Sequence, residues 1–146
     1  MGKVFSIKEK YSHKIFSKEK LVEFRRQNVN VNEGELCLIY TSSPTKKITG
    51  YFIVKAKIRA SIQDLWKLTK NIAGISHNEF LNYFKDCKMG TAILLKNIQK
   101  FSDTFELEYL RREVNFRPPQ SYCNLNSVLF DIFKNVIPRN LIITIA

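Results

Sequence analysis

The sequence offers little from which to build a metal centre. Its three cysteines, Cys37, Cys87 and Cys123, are widely spaced, and its two histidines, His13 and His77, stand beside none of them. There is no Cys-x-x-Cys pair, whereas zinc needs about four nitrogen or sulfur ligands in close array. No metal and no other cofactor is therefore expected. Three isolated thiols suit a reducing compartment, so the expected location is cytoplasmic. Cys37 falls in an apolar run and is expected to be buried. Long hydrophobic stretches are also missing: no run approaches the roughly 18 residues of a membrane span. "MGKVFSIKEK" turns charged before a signal-peptide core could form. Gly2 and Ser6 match a lipidation pattern too short and common to carry weight. The expectation is a soluble protein with no membrane partner. Five glycines and four prolines rule out a collagen-like or low-complexity chain. Neither a Walker loop nor a dinucleotide fingerprint is present. No serine or cysteine has a histidine near it in sequence, and both histidines are expected at the surface.

Acidic residues are scarce as well, and this is where the chain becomes informative. Against 24 Lys/Arg there are 13 Asp/Glu, a formal net charge of +11. The excess is uneven: up to Ala60 there are 13 Lys/Arg and 5 Asp/Glu, net +8, and the remainder is net +3. Such asymmetry fits a polyanion partner, although basic surfaces also serve solubility alone. With 45% hydrophobic residues, 146 residues suffice for one domain with a real core.

Periodicity predicts a strand over Val4–Ile7, a helix over Lys8–Phe16, and strands over Leu21–Arg26 and Leu36–Tyr40. The polar loop "QNVNVNEG" ends in a turn at Glu33-Gly34. A long strand follows from Ile48 to Ala60, with Phe52, Val54, Ala56 and Ile58 as its expected core face. Ser61-x-x-Asp64 and Ser76-x-x-Glu79 predict the starts of two helices. Leu65, Trp66 and Leu68 would be buried on the first, and Phe80, Leu81, Tyr83 and Phe84 on the second. Thr91–Leu95 reads as a strand, Phe105–Arg112 as either helix or strand, and Val128–Val136 as a last helix capped by Asn126 or Ser127. The apolar tail "LIITIA" should be buried or paired. Strands before and after a helical pair, without strict alternation, favour an α+β, mainly β architecture: a mixed sheet or small barrel with flanking helices.

Three stretches can carry chemistry. In "KLVEFRR", alternation puts Glu23 and Arg25 on one face, about 7 Å apart at ~3.3 Å per residue, with Lys20 approaching from the turn. Glu23 between cations stays ionised, and Arg25 offers a planar fork suited to phosphate or guanine. By spacing alone, a solvated strand face with one ion pair is the simpler reading. "TSSP" sets hydroxyls, Ser42 and Ser43 among them, before a proline turn, where they can contact phosphate or simply turn the chain. In "RPPQSYC", two prolines hold Arg117, Gln120 and Ser121 on an extended backbone. Gln120 can then pair with a base edge and Tyr122 stack on a base; the alternative is a rigid connector with Tyr122 in the core.

Taken in order, "FSIKEKYSHKIFSKEKLVEFRR", "LCLIYTSSPTKKITGYFIV", "AGISHNEFLNYFKD" and "RPPQSYC" resemble the ASCH family of the PUA-like superfamily, over roughly Val4 to Cys123. The resemblance implies a pseudo-barrel of five or six strands with helices beside it, and a cleft that takes RNA or a modified nucleotide. Lys20, Glu23 and Arg25 match the family's Lys-x-x-Glu-x-Arg, while Ser17 or Lys18 stands where a turn glycine is usual. Lys8 lies in the shared opening Ser-Ile-Lys element. One branch of the family hydrolyses acetylated cytidine with a threonine where this chain has Glu23, so Glu23 cannot be that nucleophile. The expected domain is 1–123, with 124–146 as a helical or strand extension packed on it. The expected function is nucleic-acid binding, RNA favoured over DNA, by a coregulator of transcription or translation. Its site would comprise Lys8, Lys20, Glu23, Arg25, Arg26, Ser42, Ser43, Arg117, Gln120, Ser121 and Tyr122. The alternative is a hydrolase on a modified nucleoside or RNA, with Glu23 as base and Lys20 as its electrostatic partner. A dimer through the C-terminal segment is a further possibility.

Overall fold

The computed structural model describes residues 2–141. The tail "LIITIA" lies outside the described residues from Ile142 onward, so the expectation that it is buried or paired does too. The elements run β1 (Lys3–Ile7), α1 (Glu9–Phe16), β2 (Val22–Arg25), β3 (Leu36–Thr41), β4 (Lys47–Ser61), α2 (Ile62–Thr69), α3 (His77–Tyr83), β5 (Met89–Glu106), α4 (Leu107–Val114), β6 (Tyr122–Asn124) and α5 (Ser127–Phe133). One six-stranded mixed sheet has the order β2-β5-β4-β3-β1-β6. The β1–β3 pair is parallel, with Val4 opposite Leu38, and the other neighbours are antiparallel.

The sheet curls into a half-barrel, and its central strands are buried on both faces. Leu36, Leu38, Tyr51 and Ile53 face one apolar cluster, with Leu129 and Phe133 of α5. Cys37, Ile39, Phe52 and Val54 face a second, with Ile15 of α1 and Val29 and Val31 of the polar-looking loop. The expectation of a single core face for β4 is thus corrected. Its first half is sandwiched, because curling brings an apolar layer to each side. The Ser61 and Ser76 hydroxyls accept from the Asp64 and Glu79 amides at 3.2 and 3.1 Å, so both predicted caps form. The helices they start carry Leu65, Phe80 and Phe84 into a third cluster with Val22 and Phe24 of β2. Leu68 and Leu81, expected inside, are 61% and 44% exposed.

β5 departs most from expectation: Thr91–Leu95 is only part of an 18-residue strand. Beyond Leu95 polar residues outnumber Ile98, Phe101 and Phe105, and Asn97 sits at φ 51° amid register shifts against β4. Such irregularity erases the alternation by which a strand is read. The ambiguous Phe105–Arg112 resolves into the end of β5 and then α4. "SYCN" contributes a short edge strand, β6, paired to β1. Among the described residues, no helix is long and apolar enough to cross a membrane.

Candidate functional site

β2 and β6 are the two edges of the curled sheet, and the Arg25 guanidinium joins across the seam between them. Its Nε and Nη2 donate to Glu23 Oε2 at 3.2 and 2.8 Å. Nη2 also reaches the Ser6 carbonyl at 2.9 Å, and Nη1 reaches Ser121 Oγ at 2.9 Å and its carbonyl at 3.3 Å. β1, β2 and the segment before β6 are thereby tied by one side chain. The Ser6 hydroxyl adds a 2.6 Å bond to the Pro119 carbonyl. The Glu23–Arg25 pair is not the solvated ion pair that spacing alone suggested, since both side chains are nearly buried, 7% and 12% exposed.

A cleft of about 420 Å³ opens at this seam. β2 supplies Glu23, Phe24 and Arg25; the end of β1 and the start of α1 supply Ser6, Ile7, Lys8 and Tyr11. The end of β3 brings Tyr40, the turn after it Ser42, Ser43 and Lys46, and the strap Pro118–Gln120 closes the far side. Lys20, Ile75 and Tyr83 complete the lining. Of the residues singled out from the sequence, Lys8, Lys20, Glu23, Arg25, Ser42, Ser43 and Gln120 come together here. Ser121 stands behind the lining as a partner of Arg25. Arg26 points elsewhere, donating to Cys87 Sγ and the Lys85 carbonyl. Arg117 is exposed and outside the lining. The Tyr122 ring stacks on Phe5 at 5.3 Å, and its hydroxyl accepts from the Asn30 amide. Tyr122 is half-buried and packs against the second apolar cluster.

Lys20 is the unusual cation. It is 2% exposed, and its Nζ donates to the Ala73 carbonyl at 3.3 Å and lies 4.5 Å from the Phe24 ring centre. Burial lowers its ammonium to about 8, against the opposing pull of Glu23 and Glu79. The preceding turn places it there: Lys18 adopts φ 67°, the left-handed conformation for which a glycine is usual. Tyr11 donates to Glu79 Oε2 at 2.8 Å, and Tyr83 to the Phe24 carbonyl at 3.0 Å. Burial, then the neighbouring Glu79, raises the Tyr11 hydroxyl strongly, and burial raises Tyr83 to about 12, so both stay protonated donors at neutral pH. These tyrosines, Tyr40 and Lys46 escaped the sequence reading. The tyrosines sit in apolar stripes that read as core, and Lys46 sits in a turn read for its hydroxyls. Their signal was the hydroxyl itself, a polar tip on a stripe that must find a partner when buried.

The lining combines four cations, Lys8, Lys20, Arg25 and Lys46, with one carboxylate, Glu23. Aromatic faces at Tyr11, Phe24, Tyr40 and Tyr83 stand beside hydroxyls and the Gln120 amide. Among the described residues, no group of three His, Cys, Asp or Glu side chains is placed to hold a metal. A positive, aromatic-walled pocket of this size matches an anionic ring-bearing ligand.

Comparison with known proteins finds one family and several relatives of the same fold. The model of a family described as a domain of unknown function (DUF365) matches residues 1–114. An ASCH domain-containing ribonuclease from Zymomonas mobilis subsp. mobilis is 29% identical over 119 residues, 81% of this chain and 80% of that protein. The crystal structure of ASCH from Zymomonas mobilis has a TM-score of 0.85 at 26% identity, covering 92% of this chain and 94% of that one. The N-terminal domain of Staphylothermus marinus McrB, 10% identical, shares the fold at a TM-score of 0.60, covering 91% and 92% of the two chains.

Proposed function

The chain belongs to the DUF365 family with an ASCH, PUA-like fold, and we propose that its seam cleft binds RNA, favoured over DNA, holding one nucleotide of the strand. The observation that carries this reading is the convergence of Lys8, Lys20 and Lys46 with aromatic faces and the Gln120 amide in one pocket. Lys8 and Lys46 supply charge for phosphate, Ser42 and Ser43 supply hydroxyl contacts, and Gln120 pairs with the edge of a base. Arg25 acts through position: its donors already hold Glu23, Ser6 and Ser121. Arg26 and Arg117, outside the lining, add to the general field that draws a polyanion. A cytoplasmic setting accords with three free thiols.

The test is fluorescence anisotropy with labelled single-stranded RNA, duplex RNA and single-stranded DNA across salt concentrations. Lys8 and Gln120 are exposed, so Lys8→Ala and Gln120→Ala leave the fold alone. Each should weaken single-stranded RNA binding by roughly three- to tenfold, and the Lys8 change should make the log–log salt slope shallower by about 0.7. Millimolar affinity for every nucleic acid at low salt would overturn the reading.

A second reading, RNA hydrolysis, is favoured by the name of the Zymomonas relative, a ribonuclease. In it Glu23 takes the proton from the attacking hydroxyl as its oxygen bonds to phosphorus, and the Lys20 ammonium faces the phosphate that gains charge. The bond from phosphorus to the 5′ oxygen of the next nucleotide breaks, and that oxygen leaves with a proton from water. Cleavage of labelled single-stranded RNA that persists in Glu23→Gln would remove Glu23 from that role.

A further inference from the structure

The turn after β3 has two sides. One side, through Ser42, Ser43 and Lys46, lines the seam cleft. The other, through Thr45, Lys46 and Lys47, lines a second groove of about 400 Å³ whose far wall is the end of β5 and the first turns of α4. Lys46 belongs to both. It is held at φ 52°, and its carbonyl accepts from the Leu107 amide at 3.1 Å, so the turn is anchored to the start of α4.

The groove's charges are unequally engaged. Lys47 lies opposite Glu106 in the β4–β5 register and pairs with it at 3.9 Å. Glu108 is the groove's other carboxylate. Among the described residues, Lys46 and Arg111 have no carboxylate within ion-pair distance. The Arg111 charge is also felt at Tyr40 of the first cleft, where it partly offsets the rise that burial imposes on the hydroxyl. Two free cations therefore stand in adjoining concavities that share one lysine as their divide.

We propose that this groove is a second subsite, in which Arg111 and Lys46 hold the phosphate of the nucleotide adjoining the one in the seam cleft. The protein then takes a strand rather than a free nucleotide. Arg111 presents a planar fork to phosphate, whereas Lys46 at the divide meets the phosphodiester that links the two units. Glu106, satisfied by Lys47, and Glu108 make the groove only weakly positive, so the contact is local to Arg111 rather than spread over the surface. The inference rests on the reading of the cleft as an RNA site.

The experiment compares a mixed-sequence single-stranded RNA hexamer with the four nucleoside 5′-monophosphates by calorimetry and anisotropy. Both are measured on the whole chain and on Arg111→Ala and Arg112→Ala. Both arginines are exposed on α4, and Arg112 already pairs with Glu113, so it controls for the loss of one charge. Arg111→Ala should weaken hexamer binding roughly fivefold and make its salt slope shallower by about 0.7, with mononucleotide affinity unchanged. Arg112→Ala should change neither. Equal weakening by the two variants, or none by Arg111→Ala, overturns the subsite. A wild-type hexamer that binds no tighter than a mononucleotide also overturns the subsite but leaves the cleft reading standing. Failure of both ligands to bind at low salt overturns the two together.

Discussion

Arg25 shows why a residue's type and spacing do not fix its role. The sequence offers a planar donor fork two positions from a carboxylate, and a phosphate clamp is a fair expectation. In the fold those donors reach Glu23, Ser6 and Ser121, because the curled sheet brings β1 and the strap before β6 to the edge of β2. No local pattern encodes that meeting: Arg25 and Ser121 are 96 positions apart. Arg25→Ala strands Glu23 in a nearly buried place, and should cost about 3 kcal/mol in urea unfolding. Arg25→Lys keeps the charge but not the fork, and should fall between. Lys20 makes a prediction of the opposite kind. Its ammonium is near 8 in the fold and 10.5 when unfolded, so between those values the unfolded chain binds more protons and stability rises with pH. Tyr83 and Tyr11, both raised by burial, withdraw stability only above about 10, where their unfolded hydroxyls ionise. Burial also raises the Cys37 and Cys123 thiols, which withdraw stability over the same range. The signature of Lys20 is therefore the difference in unfolding free energy between wild type and Lys20→Met, which should climb by roughly 2 kcal/mol from pH 8 to 10. RNA affinity, if the Lys20 charge serves it, falls over the same range.

At the level of elements, what was legible is what is local. The caps at Ser61 and Ser76 need only a hydroxyl and an amide three residues on, and both formed where the sequence placed them. β5 was half legible, because its pairing with β4 carries register shifts and a left-handed Asn97. The turn between α2 and α3 joins local signal to site. Gly74, at φ 66°, reads as a helix stop, yet its position matters more than its freedom. A Cβ there would lie 2.6 Å from the Lys20 Cβ and 2.9 Å from the Glu19 carbonyl. The Gly74 carbonyl also accepts from Lys14 at 2.8 Å, and the neighbouring Ala73 carbonyl holds Lys20. The turn is therefore the backing plate of the buried lysine. Gly74→Ala should destabilise by about 1–3 kcal/mol through strain and the push on Lys20, and should weaken RNA binding. Ser76→Ala, which only removes a cap, should cost about 1 kcal/mol and leave binding alone. Thermal melts with anisotropy on the same samples separate the two.

For the whole molecule, the instructive fact is a mismatch between family and core. The family model ends at residue 114, and the resemblance legible in the sequence ends near Cys123. The larger apolar cluster does not end there. Leu125, Leu129, Phe133 and Ile137 fill it against Leu36, Leu38, Tyr51 and Phe101, with Phe133 stacked on Phe101 at 5.3 Å. β6 also covers the β1 edge, with Lys3 Nζ donating to Asn124 Oδ1 at 2.7 Å. A chain cut after Val114 would lose that strand, the strap that walls the cleft and five buried side chains, Phe116 with the four named. At roughly 1.5–3 kcal/mol for each side chain, that loss is comparable to the whole stability of an ordinary domain. The truncated chain should therefore bind ANS, lose its near-UV signal and show no cooperative melt. Were it to melt cooperatively and keep RNA affinity, the segment after residue 114 would be an accessory. The sequence does not announce this dependence, because an apolar helix after a proline-rich strap looks the same whether it completes one core or begins another; only the curl of the sheet, which leaves β3 and β4 needing cover on both faces, decides between them.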